Sequence, residues 1–209
     1  MGLLPLPLSA HFSAWTADAG LVGGRDATPS APCRFCGFSA GNWQERFHCN
    51  GDHADNTAVN LVSVCPLCHL TQHPERPQID TEVTLIWMPE MSQAVLNCLV
   101  RGIHVFLHGY GEPPGLRRSP LSFDPGVAEA YRAYRALQER TGPALDRLGT
   151  NSFAELGAAL LGLRPDAYAR RAELLAGLRL LPLGQLHQDG CDVYPKMLAT
   201  WTPKLKTQS

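Results

Sequence analysis

The sequence predicts an α+β fold in which a small cysteine-rich module precedes a strand and a mainly helical region. Three observations support this prediction. Two Cys-x-x-Cys pairs lie within residues 33–68, a β-branched and apolar run occupies 81–88, and several later segments repeat apolar residues at helical spacing. With 209 residues, the chain is long enough for a small module and a second domain.

Glycine, proline and small polar residues divide the chain into four parts. The stretch up to residue 31 ends in a segment rich in these residues, which is typical of a linker. We therefore expect a flexible N-terminal arm over 1–31, a cysteine module over 32–78, a strand plus mainly helical region over 79–203 and a frayed tail over 204–209.

Capping residues and prolines indicate where the helices of the third part begin. Ser92 and, further on, Asn151 or Ser152 are residue types that cap helix N-termini, and Pro165 suits a first helical position. The expected elements are a buried strand over 81–88 and helices over 92–107, 126–140, 152–163 and 166–181.

Charge and hydropathy exclude several classes of protein. The 18 Lys and Arg residues nearly balance the 19 Asp and Glu residues, so the whole chain makes no electrostatic case for a nucleic-acid partner. The sequence has no run of about 18 uncharged apolar residues, and its N-terminus lacks the basic start of a secretory signal. We therefore expect a cytoplasmic protein without a transmembrane segment.

Four of the seven cysteines form two close pairs, Cys33 with Cys36 and Cys65 with Cys68. Two intervening residues allow both thiolates of a pair to face one tetrahedral centre from a tight turn. The sequence therefore predicts a structural Zn²⁺ ion held by these four cysteines, with no open position for catalysis. Ordinary buried thiols or a redox pair are the alternatives.

The second half of the cysteine module carries His48, then Asn50, Gly51, Asp52 and Asn56 in a loop, then Asn60, and finally His69 directly after Cys68. In these residues the module resembles the HNH (ββα-metal) nucleases. The resemblance sets His48 at the place of the catalytic base, Asn60 at that of the central asparagine and His69 at that of the terminal metal ligand. The resemblance implies a zinc-stabilised HNH-like ββα module, with His48, Asn60 and His69 as the catalytic residues if the module is a nuclease.

One position departs from the HNH pattern and argues against catalysis. Phe47 stands where that family carries a metal-binding Asp or His, and a phenyl ring cannot bind a metal ion. Between Cys33 and His73 the basic residues are Arg34 and Arg46, which is little charge for holding a phosphate backbone. We therefore expect no catalytic residues. The structural alternative is that His48, His53, His69 and His73 serve in packing or at the surface and that Asn60 stabilises a loop turn.

A second resemblance extends beyond the cysteine module and rests on five segments: CRFCGF (33–38), NGDHADN (50–56), NLVSVCPLC (60–68), TLIWMPEMSQAVLN (84–97) and GLRLLP (177–182). In these segments the chain resembles the IcmJ/DotN family of type IVB (Dot/Icm) secretion systems. It implies a non-enzymatic adaptor subunit that binds the C-terminal extension of the coupling ATPase, contacts other coupling-complex subunits and supports effector recruitment. It further implies a peripheral position at the inner-membrane face, through partner proteins, and no small-molecule substrate.

Three functions therefore compete at this point: the zinc-stabilised adaptor, an HNH-type DNA endonuclease, and a zinc-dependent nucleic-acid binder that does not cleave. For an adaptor, one candidate partner surface is formed by Tyr131 and Tyr134 with Arg132 and Arg135. Ordinary amphipathic packing is the alternative for these four residues.

Overall fold

The computed structural model describes residues 2–11, 31–115 and 120–206. Its strands are β1 Glu45–His48, β2 Leu61–Val64, β3 Val83–Trp87, β4 Leu178–Pro182, β5 His187–Gln188 and β6 Cys191–Asp192. Its α-helices are α1 Pro66–Leu70, α2 Ile79–Glu82, α3 Gln93–Gly109, α4 Pro125–Glu139, α5 Thr141–Leu148, α6 Phe153–Leu161, α7 Pro165–Ala169, α8 Arg171–Leu174 and α9 Tyr194–Lys206. The predicted α+β fold class is confirmed. Within these described ranges, no helix is both long enough and apolar enough to cross a membrane.

The cysteine module is built on a short antiparallel hairpin followed by a helix. Strands β1 and β2 pair with Phe47 opposite Val62, and α1 follows β2 directly. Side chains alternate across the pleat, so Phe47 is buried while His48 is only half-buried. The hairpin therefore sends Phe47 into the core and leaves His48 at the module's edge.

The predicted strand at 81–88 is present but begins at Val83, because residues 79–82 form the single helical turn α2. Its partner is β4, in an antiparallel register that sets Leu85 opposite Leu180. The prediction of one helix over 166–181 is therefore wrong, because two short helices, α7 and α8, end at Leu174 and residues 178–182 form β4. Gly177 has φ +89, and a Cβ there would lie 2.6 Å from the Trp87 ring, so the chain turns at this glycine and enters the sheet.

Helix α3 connects the module to the rest of the fold. The Ser92 hydroxyl caps it by accepting a hydrogen bond from the Val95 backbone N–H at 3.3 Å, as the sequence predicts. One side of the helix packs in an apolar cluster with Ile86 and Leu181; its buried residues there are Leu96, Val100, Ile103 and Leu107. A second buried side is polar, with Gln93, Asn97, Arg101 and His104.

The tyrosines of α4 do not form a partner surface. Tyr134 is fully buried and its hydroxyl donates to the Pro182 carbonyl oxygen at 2.7 Å, while Tyr131 is buried and donates to Glu112 Oε2 at 2.9 Å. Arg132 and Arg135 lie on the exposed side in ion pairs along the same helix. Ordinary amphipathic packing thus accounts for this helix.

In place of the flexible arm expected at the N-terminus, residues 2–11 pack against the module. The Leu4 backbone N–H donates to the Arg34 carbonyl at 3.0 Å, and the Ser9 N–H donates to the Thr71 carbonyl at 3.3 Å. The side chain of Leu8 between them is buried, with 4% exposed. Residues 12–30, which contain most of the predicted linker, lie outside the described residues. At the other end, α9 continues to Lys206, past the predicted start of the frayed tail at 204.

The module and the helical region share one apolar core. Trp201 of α9 is 1% exposed, donates from Nε1 to the Ala40 carbonyl at 3.2 Å and meets the Phe38 ring edge to face at 5.3 Å. One continuous cluster of buried residues extends from Leu8 to Trp201. The predicted boundary at residue 78 therefore does not separate two cores.

Candidate metal centre

Two tight turns present the four cysteines. In the first, the Gly37 N–H donates to the Cys33 carbonyl at 2.8 Å, and Gly37 has the positive φ of +74 that this turn requires. In the second, Cys65 is the N-cap of α1, Pro66 holds the first helical position, and the Cys68 N–H donates to the Cys65 carbonyl at 3.1 Å. Each turn places both of its thiols on the same side.

The four Sγ atoms converge as the spacing predicts. All lie within 4.8 Å of one another, and the Cys36 and Cys65 sulfurs are 3.6 Å apart. A tetrahedral centre with metal–sulfur bonds of about 2.3 Å has sulfur–sulfur edges of about 3.8 Å. Cys33, Cys65 and Cys68 are buried and Cys36 is half-buried. The residues present therefore fit a four-coordinate metal ion enclosed by protein, which is the arrangement of a structural site.

Helix α3 supplies the groups that surround this centre. Asn97 Nδ2 lies 3.4 Å from Cys68 Sγ and 3.2 Å from the Leu67 carbonyl oxygen, and Arg101 Nη1 lies 3.9 Å from Cys36 Sγ. Burial lowers the pKa of Arg101, but the thiolates of Cys65 and Cys36 outweigh it and raise the pKa above its ordinary value. The guanidinium therefore stays charged and would offset part of the −2 charge of four thiolates around one divalent ion.

Gln93 fixes Asn97 in turn. Its Nε2 donates to Asn97 Oδ1 at 2.9 Å and to the Leu180 carbonyl at 2.8 Å, while its Oε1 accepts from the Leu180 N–H at 2.8 Å. The cluster of four cysteines is thus connected through two buried amides to strand β4. Sequence reasoning missed these residues, although polar side chains at positions 93, 97 and 101 of an apolar helix share one face and were the available signal.

The other cysteines lie outside the set of four. Cys49 and Cys191 are exposed. Cys98, on α3, is half-buried and its thiol donates to the Cys36 carbonyl oxygen at 3.9 Å, so it borders the centre through the backbone of a ligand residue.

The HNH-like residues His48, Asn60 and His69 each have different hydrogen-bond partners. His48 Nε2 lies 3.3 Å from Asn56 Oδ1. Asn60 instead clamps the loop between β1 and β2, because its Oδ1 accepts from the Asn50 N–H at 2.9 Å and its Nδ2 donates to the Asp55 carbonyl at 2.8 Å. His69 is engaged elsewhere, in a buried pair with His73.

The pair formed by His69 and His73 lies beside Phe47. The Nε2 atoms of His69 and His73 are 2.9 Å apart, and the Phe47 ring meets the His69 ring edge to face at 5.8 Å. On their far sides, His69 Nδ1 contacts Glu45 Oε2 at 2.7 Å and His73 Nδ1 contacts Glu75 Oε1 at 2.5 Å. Burial lowers the pKa of His73 below its ordinary value.

Comparisons with known proteins agree with the family resemblance. The chain matches no protein-family model. It is similar to the type 4 apparatus protein DotN of Legionella pneumophila subsp. pneumophila, with 29% identity over 154 residues. The match covers 72% of this chain and 66% of DotN, just under two thirds of that relative's length. This similarity supports the resemblance to the IcmJ/DotN family.

Replacing one buried ligand tests the structural role of the centre. We expect Cys65→Ser to lose the bound metal ion and its cooperative unfolding transition, because metal binding and folding are coupled in a closed thiolate site. Metal content by mass spectrometry and thermal unfolding by circular dichroism measure the two effects. Cys191→Ser, at an exposed cysteine, is the matched control and should change neither. A metal-free Cys65→Ser protein that unfolds like the wild type would contradict the prediction.

Proposed function

We propose that this chain is a member of the IcmJ/DotN family and acts as a metal-stabilised adaptor of a type IVB (Dot/Icm) secretion apparatus. Its relative DotN is named a type 4 apparatus protein, which supports a place in such an apparatus. In this proposal the chain binds the C-terminal extension of the coupling ATPase and, with other coupling-complex subunits, supports effector recruitment. It works in the cytoplasm at the inner-membrane face, where partner proteins hold it.

We further propose that the ion at the four cysteines is Zn²⁺. Four thiolates are soft ligands that favour zinc over hard cations, and their convergence within 4.8 Å suits its tetrahedral preference. The closed ligand set leaves no position for substrate, so the ion's role is structural.

The observation that carries the adaptor role is an exposed apolar stripe on α3. We call Val95, Leu99 and Phe106, together with Tyr110 directly after the last helical residue, the α3 stripe. These residues are 53%, 41%, 40% and 48% exposed. Spacings of four and seven residues set them on one face of the helix. A row of exposed apolar side chains on one helix is typical of a protein–protein contact rather than of a surface that faces only water.

The segment before α4 lies beside the C-terminal end of this helix. Glu112 is 2% exposed, and its Oε1 accepts from the backbone N–H groups of Leu121 and Ser122 at 2.7 and 2.6 Å. Leu121 and Phe123 on that segment are 62% and 103% exposed. Together with the α3 stripe they offer apolar side chains to a partner segment.

The opposite side of α3 connects this surface to the metal centre. Asn97 and Arg101 contact the cysteine sulfurs from the buried side, while Leu99, between them in sequence, faces outward. Because one helix carries both sets of residues, a metal ion that orders the buried side also orders the stripe. This coupling gives the zinc ion a role in partner binding without any catalytic step.

The surroundings of Phe47 support a non-enzymatic role. Its ring is 6% exposed and packs against His69 and against Phe35 at 5.8 Å, in the place that the HNH resemblance assigns to a metal ligand. The Asn60 side chain makes its hydrogen bonds with the backbone of the loop, to Asn50 and Asp55. These contacts favour a scaffold over a nuclease.

The stripe can be tested by co-purification with the coupling ATPase. We expect the wild-type chain to bind a fragment containing the C-terminal extension, and Leu99→Asp to weaken binding by about tenfold or more, since a buried charge at a central contact is costly. Leu174→Asp, at an apolar residue that is 56% exposed outside the stripe, should bind like the wild type. A wild-type chain that binds no segment of the ATPase would refute the adaptor role; equal binding by Leu99→Asp would refute only the stripe.

The nuclease alternative makes the opposite prediction in a cleavage assay. We expect no nicking of supercoiled plasmid DNA by the purified chain with Mg²⁺, Mn²⁺ or Ni²⁺, because Phe47 stands in the place of a metal ligand and the Asn60 side chain is hydrogen-bonded to the loop backbone. Gel electrophoresis of the plasmid gives the readout. Nicking by the wild type that disappears in His48→Ala would establish an HNH-type endonuclease instead.

A further inference from the structure

Beside the four cysteines lies a fifth sulfur, that of Cys98 on α3. We infer that Cys98 and Cys36 form a reversible redox pair, in which a hydroperoxide oxidises Cys98 and Cys36 then leaves the set of four to close a disulfide with it. We call these two residues the redox pair. The inference concerns the chemistry of the sulfurs and does not depend on the adaptor role proposed above.

The two thiols of the redox pair are in contact. Cys98 Sγ lies 3.9 Å from the Cys36 carbonyl oxygen, and the Cys98 and Cys36 thiols share a side-chain hydrogen bond. A disulfide requires the two sulfurs to approach to about 2.05 Å. Two thiols that already share a hydrogen bond therefore need only a small displacement to form this bond.

The redox pair lies at the more accessible edge of the sulfur cluster. Cys33, Cys65 and Cys68 are 1%, 1% and 0% exposed, whereas Cys36 and Cys98 are half-buried. A small oxidant such as hydrogen peroxide therefore reaches the redox pair before the other three sulfurs. Cys98 also lies outside the predicted ligand set, so its thiol is not shielded by a bound ion.

Arg101 holds a positive charge beside both sulfurs. Its Nη1 lies 3.9 Å from Cys36 Sγ, and its side chain hydrogen-bonds to the Cys98 thiol. The guanidinium lies over the Phe38 ring, 3.7 Å from the ring centroid, which fixes its position. A cation next to a thiol stabilises the thiolate, and the thiolate is the form that attacks a peroxide. An accessible thiol with a cation and a second cysteine beside it is the arrangement of a redox-sensing cysteine.

The oxidation proceeds in two steps. The Cys98 thiolate attacks one oxygen of hydrogen peroxide, the O–O bond breaks, and hydroxide leaves, so that Cys98 becomes a sulfenic acid. The Cys36 thiolate then attacks the Cys98 sulfur, the S–O bond breaks, and a second hydroxide leaves as the disulfide forms. The two sulfurs lose two electrons in total, and the two oxygens of the peroxide gain them.

The disulfide removes one of the four predicted metal ligands. Cys33, Cys65 and Cys68 remain, and three thiolates no longer enclose an ion, so we expect the ion to leave. Cys98 stands between Asn97, which contacts Cys68, and Leu99 of the α3 stripe. The consequence for partner binding rests on the proposed function: an oxidant would loosen the stripe by releasing the ion behind it.

Hydrogen peroxide added to the metal-loaded full-length chain tests the redox pair. After the reaction, N-ethylmaleimide blocks the remaining thiols, and mass spectrometry of the digested protein identifies the disulfide. We expect the peptides that contain Cys36 and Cys98 to be joined and the bound ion to be released as the disulfide forms, which a zinc-indicator dye measures. Dithiothreitol should restore both thiols and the ability to bind the ion.

Cys98→Ser removes the thiol that attacks first, so its ion should be released about tenfold more slowly at the same peroxide concentration. Cys49→Ser, at an exposed cysteine outside the cluster, is the matched control and should respond like the wild type. If Cys98→Ser binds no metal ion, the disulfide found in the wild type gives the decision. A disulfide between two of the four predicted ligands, or none at Cys98, would overturn the proposal. So would equal release rates from the wild-type and metal-loaded Cys98→Ser chains.

Discussion

The contact between Asn97 and Cys68 connects the two halves of the molecule. One amide nitrogen lies 3.4 Å from the cysteine sulfur and 3.2 Å from the preceding carbonyl, and Gln93 holds the same amide against strand β4. Without such neighbours, the two cysteine turns would be held together only by a bound ion. Here helix α3 contacts the cysteine turns on one side and the apolar core on the other. The position of the helix is therefore coupled to the geometry of the four sulfurs.

This coupling explains how a site without an open coordination position can matter for function. A closed thiolate centre performs no chemistry on a substrate, but it orders the segments that carry it. The segment ordered most directly is α3, whose outer face carries the α3 stripe. In the proposed adaptor, the metal ion stabilises the binding surface from behind.

The sequence predicted features whose cause is local. Paired cysteines at two-residue spacing form their turns by themselves, and Ser92 caps α3 with its own hydroxyl. Strand β4 could not be predicted, because its leucines are at a spacing that also suits a helix. Its assignment depends on pairing with β3, about ninety residues earlier. Gly177 was the local sign of the change, since its positive φ breaks the helix.

The sequence likewise predicted the ligands of the candidate site but not the hydrogen bonds around it. The four cysteines were predicted correctly because two residues between paired cysteines are enough to bring both thiols to one centre. The partners of Asn60 and His69 could not be read from a motif, since an HNH-like pattern names positions and not hydrogen bonds. Asn60 turned out to hold a loop, and His69 to face His73. The packing of residues 2–11 could not be predicted either, because their backbone hydrogen bonds to residues 34 and 71 do not depend on the type of side chain.

Hydrogen–deuterium exchange during metal removal tests the coupling between the cysteine centre and α3 most directly. Exchange would be followed in peptides covering residues 93–109 and 153–161 while a chelator withdraws the cysteine-bound ion. The coupling predicts that amides of α3 lose protection as the ion leaves, before those of α6, because α3 contacts the centre and α6 packs on α2 and β3 instead. Protection of residues 93–109 that stays unchanged after the ion has left would contradict it.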